Sequence, residues 1–396
     1  MAVRLLAHEV ADICLGKPAL RPISVSASLA DALSALKRHG DCYITVWSCG
    51  DHSSKSGSGD CRCVAKICMA DVILFLCREE NFSQPAVALQ SPISALISQL
   101  PVIVRHLEPY ASLIEAIDLL LEGAQNLVVP IQARTSANSR NKVVQEVPPY
   151  DCPLHNNLEY CWLAQEDVIR YLLDSIGLFS PTSITPINSL DAIDTANILA
   201  VHYDDPALSA LPLLSQAIIH QSSIAIVDSD AKLIGEISPL ALNCCDETVT
   251  AAIVTLSAGE LMAYVDCGDP PEDLVQLVKD RLEERNLGAL LEWVEEESAM
   301  SSCSSFYSSS SFHSSSSDDD SSLGRSGKVA ANSARQVRSS EAPVCYPRSS
   351  LVAVMIQALS HRVPYIWVIK EDGSLVGIIT YASMLKVFRD QLKSMC

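Results

Sequence analysis

Basic residues are the shortage that stands out in this chain: 28 Lys and Arg face 47 Asp and Glu, leaving a net charge of −19 over 396 residues. So acidic a surface repels phosphate backbones and anionic bilayers, which excludes nucleic-acid binding by a broad basic face and leaves only a local pocket to hold an anion. Long apolar runs are missing as well. No segment approaches the roughly 20 apolar residues that span a bilayer, and the opening Met1 to Leu6 is followed at once by His8, Glu9 and Asp12, too soon for a signal-peptide core. A soluble, intracellular chain is expected, cytoplasmic or nuclear.

Catalytic signatures are absent too. There is no GxxxxGKS/T phosphate loop, no GxGxxG after a strand, no HExxH and no GxSxG. Cys61-Arg62-Cys63 and Cys244-Cys245 lack zinc-finger spacing, and the nine histidines gather into no second ligand cluster, so no metal is expected. The 15 cysteines are dispersed, many within apolar runs as at Cys14, Cys68 and Cys77, which fits reduced core thiols rather than a disulfide framework.

What is present is a repeat. In the last copy Ser350 can cap a helix carrying Leu351, Val354, Met355, Ala358 and Leu359 at helical spacing. Strand periodicity follows at Tyr365 to Ile369, Glu371-Asp372-Gly373 supplies a tight hairpin, and a second strand from Leu375 to Thr380 leads into a helix at Ala382 to Phe388. The third copy repeats the order, with Leu233-Ile234-Gly235-Glu236-Ile237-Ser238 matching Leu375-Val376-Gly377-Ile378-Ile379-Thr380. Two fainter copies lie upstream. Leu29 to Ile44, Leu113 to Val128 and Leu351 to Ile366 are each 15 residues apart and Leu208 to Ile224 is 16, so one spacing recurs four times.

This order resembles the CBS domain, named for cystathionine β-synthase, and four copies in an acidic chain look like the plant CBS-domain-containing proteins related to the γ regulatory subunits of SNF1/AMP-activated kinases. The resemblance implies an α/β (α+β) fold of four β-α-β-β-α repeats in two tandem Bateman modules, each a pair of small sheets packed together under helices. Stacking is reasonable physically, because one copy of about fifty residues buries too little surface alone. The chain then divides into repeat 1 at 1–90, repeat 2 at 91–180, repeat 3 at 181–245, an insertion at 246–297, a serine-rich tether at 298–340 and repeat 4 at 341–396. Stretches 48–62 and 132–157 fall where the first two hairpins belong and are expected to be enlarged loops. Within the insertion, Pro270-Pro271 opens an amphipathic helix bearing Leu274, Leu277, Val278 and Leu282 on one face. That stripe fits either a packed surface helix or a partner-binding one. The tether, closed by Asp318-Asp319-Asp320, suits an acid-directed kinase or a plain solvated linker equally.

In CBS domains that bind adenosyl ligands, Gly-h-h-Thr/Ser-x-x-Asp/Asn (h, hydrophobic) ends the last strand. A carboxylate there can accept both ribose hydroxyls, while the hydroxyl and helix N-terminal amides face phosphate. The resemblance carries these roles to Thr380 and Ser383 in the fourth copy, Ser238 in the third, Asp167 in the second and Asp71 in the first. No copy has both halves: carboxylates survive only in the first two, where the hydroxyl position is Cys68 or Ala164, and hydroxyls only in the last two, where Ser383 or Ala241 replaces the carboxylate. Asp71 and Asp167 fit ribose binding or plain helix capping. The implied ligand is AMP, ATP or S-adenosylmethionine. The implied partners are SNF1-related kinase subunits, with self-association into a homodimer through module faces. Two non-enzymatic functions follow: ligand-dependent regulation, or a ligand-free interaction scaffold with degenerate nucleotide sites.

Overall fold

A computed structural model describes residues 8–39, 42–49, 61–98, 104–131, 158–266, 270–305 and 341–394. Most of the stretches expected to be enlarged loops (50–60 and 132–157) and most of the tether lie outside the described residues. The Gly288–Ser305 helix, anchored by buried Leu290 and Val294, runs into the tether's first residues.

Four three-stranded sheets form, all with one topology. Strands β1 (Pro22–Ser24), β2 (Tyr43–Ser48) and β3 (Arg62–Cys68) make the first; β4 (Val104–His106), β5 (Asn126–Ile131) and β6 (Glu159–Ala164) the second. Strands β7 (Ala200–His202), β8 (Ile224–Val227) and β9 (Leu233–Ile237) make the third; β10 (Val344–Cys345), β11 (Tyr365–Ile369) and β12 (Leu375–Thr380) the fourth. In each, the first two strands run parallel because a helix crosses over between them, and the last two pair as an antiparallel hairpin. The crossover helices start where the leucine spacing placed them, at Leu29, Leu113 and Leu351, while in the third repeat Leu208 lies in a 3₁₀ turn and the helix begins at Leu211. That turn accounts for the one extra residue in its spacing. In the fourth hairpin Gly373 has φ +83°, the left-handed conformation that the Asp-Gly pair predicts.

Strand alternation decides what each sheet face meets. In the first sheet Ile44, Val46, Ala65 and Ile67 point into one core, while Tyr43, Thr45, Trp47, Lys66 and Cys68 share the opposite face. In the second, Leu127, Val129, Cys161 and Leu163 enter another core, and Val128, Tyr160 and Trp162 turn back toward the first sheet. Trp47, Cys63, Val128, Tyr160 and Trp162 thus close sheet on sheet, with the Trp47 and Tyr160 rings 5.0 Å apart. Sheets three and four meet differently. Both Glu236 oxygens accept hydrogen bonds, one from Tyr365 Oη and one from Trp367 Nε1, each at 2.7 Å. Their hairpins also join through Leu233 N to Gly373 O and Leu375 N to Ala231 O, both 3.2 Å.

The helix-covered faces then pair across the two modules. One core joins repeats 1 and 3, mixing Leu29, Ile73 and Leu76 with Leu214, Ile226 and Leu242. The other joins repeats 2 and 4 through Leu113, Ile169 and Phe179 against Leu351, Met384 and Phe388. Each repeat therefore touches one neighbour by its sheet and another by its helices, and the four close a ring. Charged pairs reinforce the helical seams: Lys37 to Glu247 at 2.7 Å and Arg389 Nε to Asp118 at 2.6 Å.

The Glu272–Glu284 helix is a packed one, with Val278 and Leu282 buried in the first core and Arg281 tied to Glu260 at 2.6 Å. Among the described residues no helix is long and apolar enough to cross a membrane.

The glycine of the recurrent Gly-hydrophobic-hydrophobic-Thr ending has a structural reason in repeat 4. Asp194 bridges to Ile378 through both its N–H and its carbonyl, and a Cβ on Gly377 would stand 2.6 Å from that carbonyl oxygen and 2.7 Å from Ile193 Cγ2. Gly377→Ala is expected to cost about 2 kcal/mol or more through overpacking against backbone that cannot yield, read as a lower midpoint in urea denaturation.

Candidate functional site

A half-open cavity of about 840 Å³ lies where the four repeats meet, and all four contribute to its wall. Its walls follow from the register. Tyr43 lies opposite Cys68 and Thr45 opposite Lys66 in the first sheet, while Asn126 lies opposite Ala164 and Val128 opposite Trp162 in the second. Tyr43, Thr45, Lys66, Cys68, Asn126, Trp162 and Ala164 all line the cavity. Lys66 and Trp162 therefore occupy the same place in successive repeats, as do Cys68 and Ala164, and the carboxylates Asp71 and Asp167.

Both aspartates line the cavity, and both cap helices. Asp71 Oδ2 accepts from the Cys68 amide at 2.8 Å and Asp167 Oδ2 from the Ala164 amide at 2.7 Å, each satisfying the first orphan donor of its helix. The two functions proposed for these residues are thus compatible. Asp71 is only 3% exposed and its Oδ1 is buried without a partner. Burial raises the Asp71 pKa above the usual carboxylate value, and the capping bonds offset only part of that. Two further cavity-lining residues hold buried polar atoms without partners, Trp162 Nε1 and Tyr381 Oη. Buried polar groups are normally paired, and these three atoms, in residues of the cavity wall, are exceptions.

The cavity is locally basic in an acidic chain. Lys17, Arg21, Lys66, Arg170 and Arg362 line it against Asp71, Glu166 and Asp167. Lys66 sits 4.3 Å over the Tyr43 ring, and desolvation lowers its pKa. Arg170 is forked onto Glu166 at 2.6 and 3.1 Å. Arg362 and Gln221 end the crossover helices of repeats 4 and 3 in the left-handed conformation, φ +55° and +51°, where repeat 2 has Gly123 at φ +102°. A side chain there is strained relative to glycine, and both strained residues line the cavity.

Thr380, Ser383 and Ser238 lie elsewhere; they are not among the residues lining this cavity. Thr380 and Ser383 cap each other's backbone, Ser383 Oγ accepting from Thr380 N at 2.9 Å and Thr380 Oγ1 from Ser383 N at 3.2 Å. Ser238 is 4% exposed and accepts from Leu240 N at 3.1 Å, beside the Tyr365 hydroxyl in the third-to-fourth sheet junction. Their next residues, Tyr381 and Pro239, reach the cavity instead. Sequence reasoning missed Lys17, Lys66, Trp162, Arg362 and Tyr381. Only Lys66 had a signal, as a lysine inside an otherwise apolar strand. The others need the ring to bring them together.

A CBS domain profile matches residues 334–390. Along its whole length the chain is 44% identical to CBS domain-containing protein CBSX5 of Arabidopsis thaliana, over 402 aligned residues and all of that protein. It is 20% identical over 99% of its length to the SNF1-related protein kinase regulatory subunit gamma-like PV42b of the same plant, covering 97% of it. Among solved structures, protein MJ1225 of Methanocaldococcus jannaschii, proposed as an archaeal γ-AMPK homologue, superposes with a TM-score of 0.54 at 14% identity, over 96% of this chain and 100% of that one. That likeness concerns the fold. On four sheets of one topology, closed in pairs, and 44% identity along the full length of CBSX5, the chain belongs to the CBS domain-containing proteins.

Proposed function

We propose that this protein is a non-enzymatic regulator whose central cavity takes an adenosyl ligand and passes the result to a protein partner. The observation that carries this reading is a locally basic cavity walled by all four repeats, where Lys17, Arg21, Lys66, Arg170 and Arg362 stand against Asp71, Glu166 and Asp167. A carboxylate of the wall can accept a ribose hydroxyl, and the cations can neutralise phosphate or carboxylate. The cavity volume of about 840 Å³ is within the range of small-molecule sites, roughly 300–1,000 Å³. Regulation follows because every repeat contributes to the wall. A ligand that binds one arrangement of the ring better than another shifts the population between them. The partner class is suggested by the gamma-like relative, a kinase regulatory subunit by its name.

Calorimetry of the full chain with AMP, ATP and S-adenosylmethionine tests the ligand, with saturable heat at micromolar to millimolar concentration expected for at least one. Absence of heat from all three leaves the ligand-free scaffold, which is favoured by one observation of its own: the Thr380 and Ser383 hydroxyls already satisfy the local backbone. Capture of SNF1-related kinase α and β subunits by the immobilised chain tests the partner.

A further inference from the structure

The two cavity carboxylates are equivalent in sequence but not in occupancy. Lys17 Nζ stands 2.5 Å from the capping oxygen of Asp167, Oδ2, and 2.8 Å from the Trp162 carbonyl oxygen, whereas the capping oxygen of Asp71 takes, besides the amide it caps, only the neutral Cys68 thiol at 3.1 Å and its Oδ1 has no partner. Lys17 lies in the leading segment of repeat 1, after the short Val10–Ile13 helix and ahead of the first strand. That segment is pinned at both ends. Upstream, Val10 (0% exposed) and Cys14 (3%) are buried in the core of repeats 2 and 4. Downstream, Leu20 N donates to Tyr160 O at 2.7 Å. Between the pins Gly16 turns the chain at φ +81°, a conformation only glycine adopts without strain, and delivers Lys17 to the carboxylate. Lys17 and Asp167 are each only 22% exposed, so water screens the pair weakly.

We infer that Lys17 is a resident occupant of the ribose position of repeat 2, so that the cavity accepts one adenosyl ligand, on the Asp71 side, rather than two. The ammonium offers donors to the same carboxylate and neighbouring carbonyl that a vicinal diol would meet. Being tethered on both sides, it competes as an intramolecular ligand at high effective concentration. The loop from Gly16 to Arg21, which also supplies Pro18, Ala19 and Leu20 to the wall, has to withdraw before a second ligand enters. This inference rests on the adenosyl-ligand reading for its stoichiometry, but the occupancy of Asp167 is testable without any nucleotide.

Two arms separate these. In the first, lysines of the full chain are acylated with a small N-hydroxysuccinimide ester and followed by peptide mass spectrometry. Lys17 is expected to react at least several-fold more slowly than exposed Lys370, and Asp167→Asn to accelerate Lys17 alone. Equal rates for Lys17 and Lys370, or no change in Asp167→Asn, overturn the occupancy. In the second, AMP is titrated calorimetrically into the wild type and Lys17→Ala, with one site expected in the first and two in the second. An unchanged stoichiometry of one in Lys17→Ala, with circular dichroism showing an intact fold, overturns the exclusion. No heat from either chain overturns the adenosyl reading, and the labelling then decides for or against Lys17 as the occupant of Asp167.

Discussion

Glu236→Ala is expected to lower stability by about 3 kcal/mol, the largest loss from a single truncation outside the apolar cores. The carboxylate accepts from Tyr365 Oη and Trp367 Nε1 at 2.7 Å each, and both rings are fully buried. Burial first, and then the Glu236 charge, push the Tyr365 hydroxyl well above its ordinary pKa, so it remains a donor throughout the accessible pH range. After truncation Tyr365 can turn toward Ser223 or Ser238, whose hydroxyls already lie beside it. The Trp367 indole, a donor only, has no such recourse and pays the desolvation of an unpaired N–H, about 1–3 kcal/mol. Guanidinium denaturation followed by tryptophan fluorescence reads the loss. Glu236→Gln, which keeps one acceptor, is expected to lose about half as much. The same clasp replaces in the second module what the Trp47, Tyr160 and Trp162 cluster does in the first. One module is joined by apolar area, the other by a half-buried carboxylate, so ring closure in the second depends more on a single residue.

Asp71→Asn is expected to do two opposite things: raise the stability of the ligand-free chain by an amount on the order of 1 kcal/mol, and weaken adenosyl binding by about 10- to 150-fold, the loss of one charge-assisted hydrogen bond of roughly 1.5–3 kcal/mol. The capping bond to Cys68 N survives in asparagine, whose side-chain oxygen can still accept it. What disappears is a carboxylate that burial disfavours in its charged form. Because its folded pKa lies above the unfolded one, Asp71 favours folding only below the unfolded carboxylate pKa, and that contribution is lost as pH rises through the folded value. The stability gain in Asp71→Asn is therefore expected at neutral pH and to vanish on acidification. Thermal melts across that window, paired with calorimetry, check both halves. A site residue that costs stability until its ligand arrives is the usual mark of function set against folding.

The five basic side chains of the cavity show why much of the site was hidden in the sequence. Lys17, Arg21, Lys66, Arg170 and Arg362 are scattered over almost 350 positions, in a chain whose net charge is −19, and no local pattern marks any of them but Lys66. Asp71 and Asp167 were legible because each sits at a fixed offset from the end of a strand, where capping chemistry and ligand chemistry need the same carboxylate. Thr380 and Ser383 were legible for the same reason, yet the fold spends their hydroxyls on each other's backbone and presents Tyr381 to the cavity instead.

What the amino-acid order determined alone is the repeating unit: leucine-to-strand spacing, the hairpin at Asp372-Gly373 and the alternation that gives each sheet an apolar face are all local, because helix and strand periods act over a few residues. What only the tertiary structure decided is how four such units meet. Helices of repeat 1 cover repeat 3 and those of repeat 2 cover repeat 4, sheets close in sequential pairs, and Lys17 reaches Asp167 across 150 residues. Those choices depend on shape and charge complementarity between surfaces far apart in the chain, which no window of sequence contains.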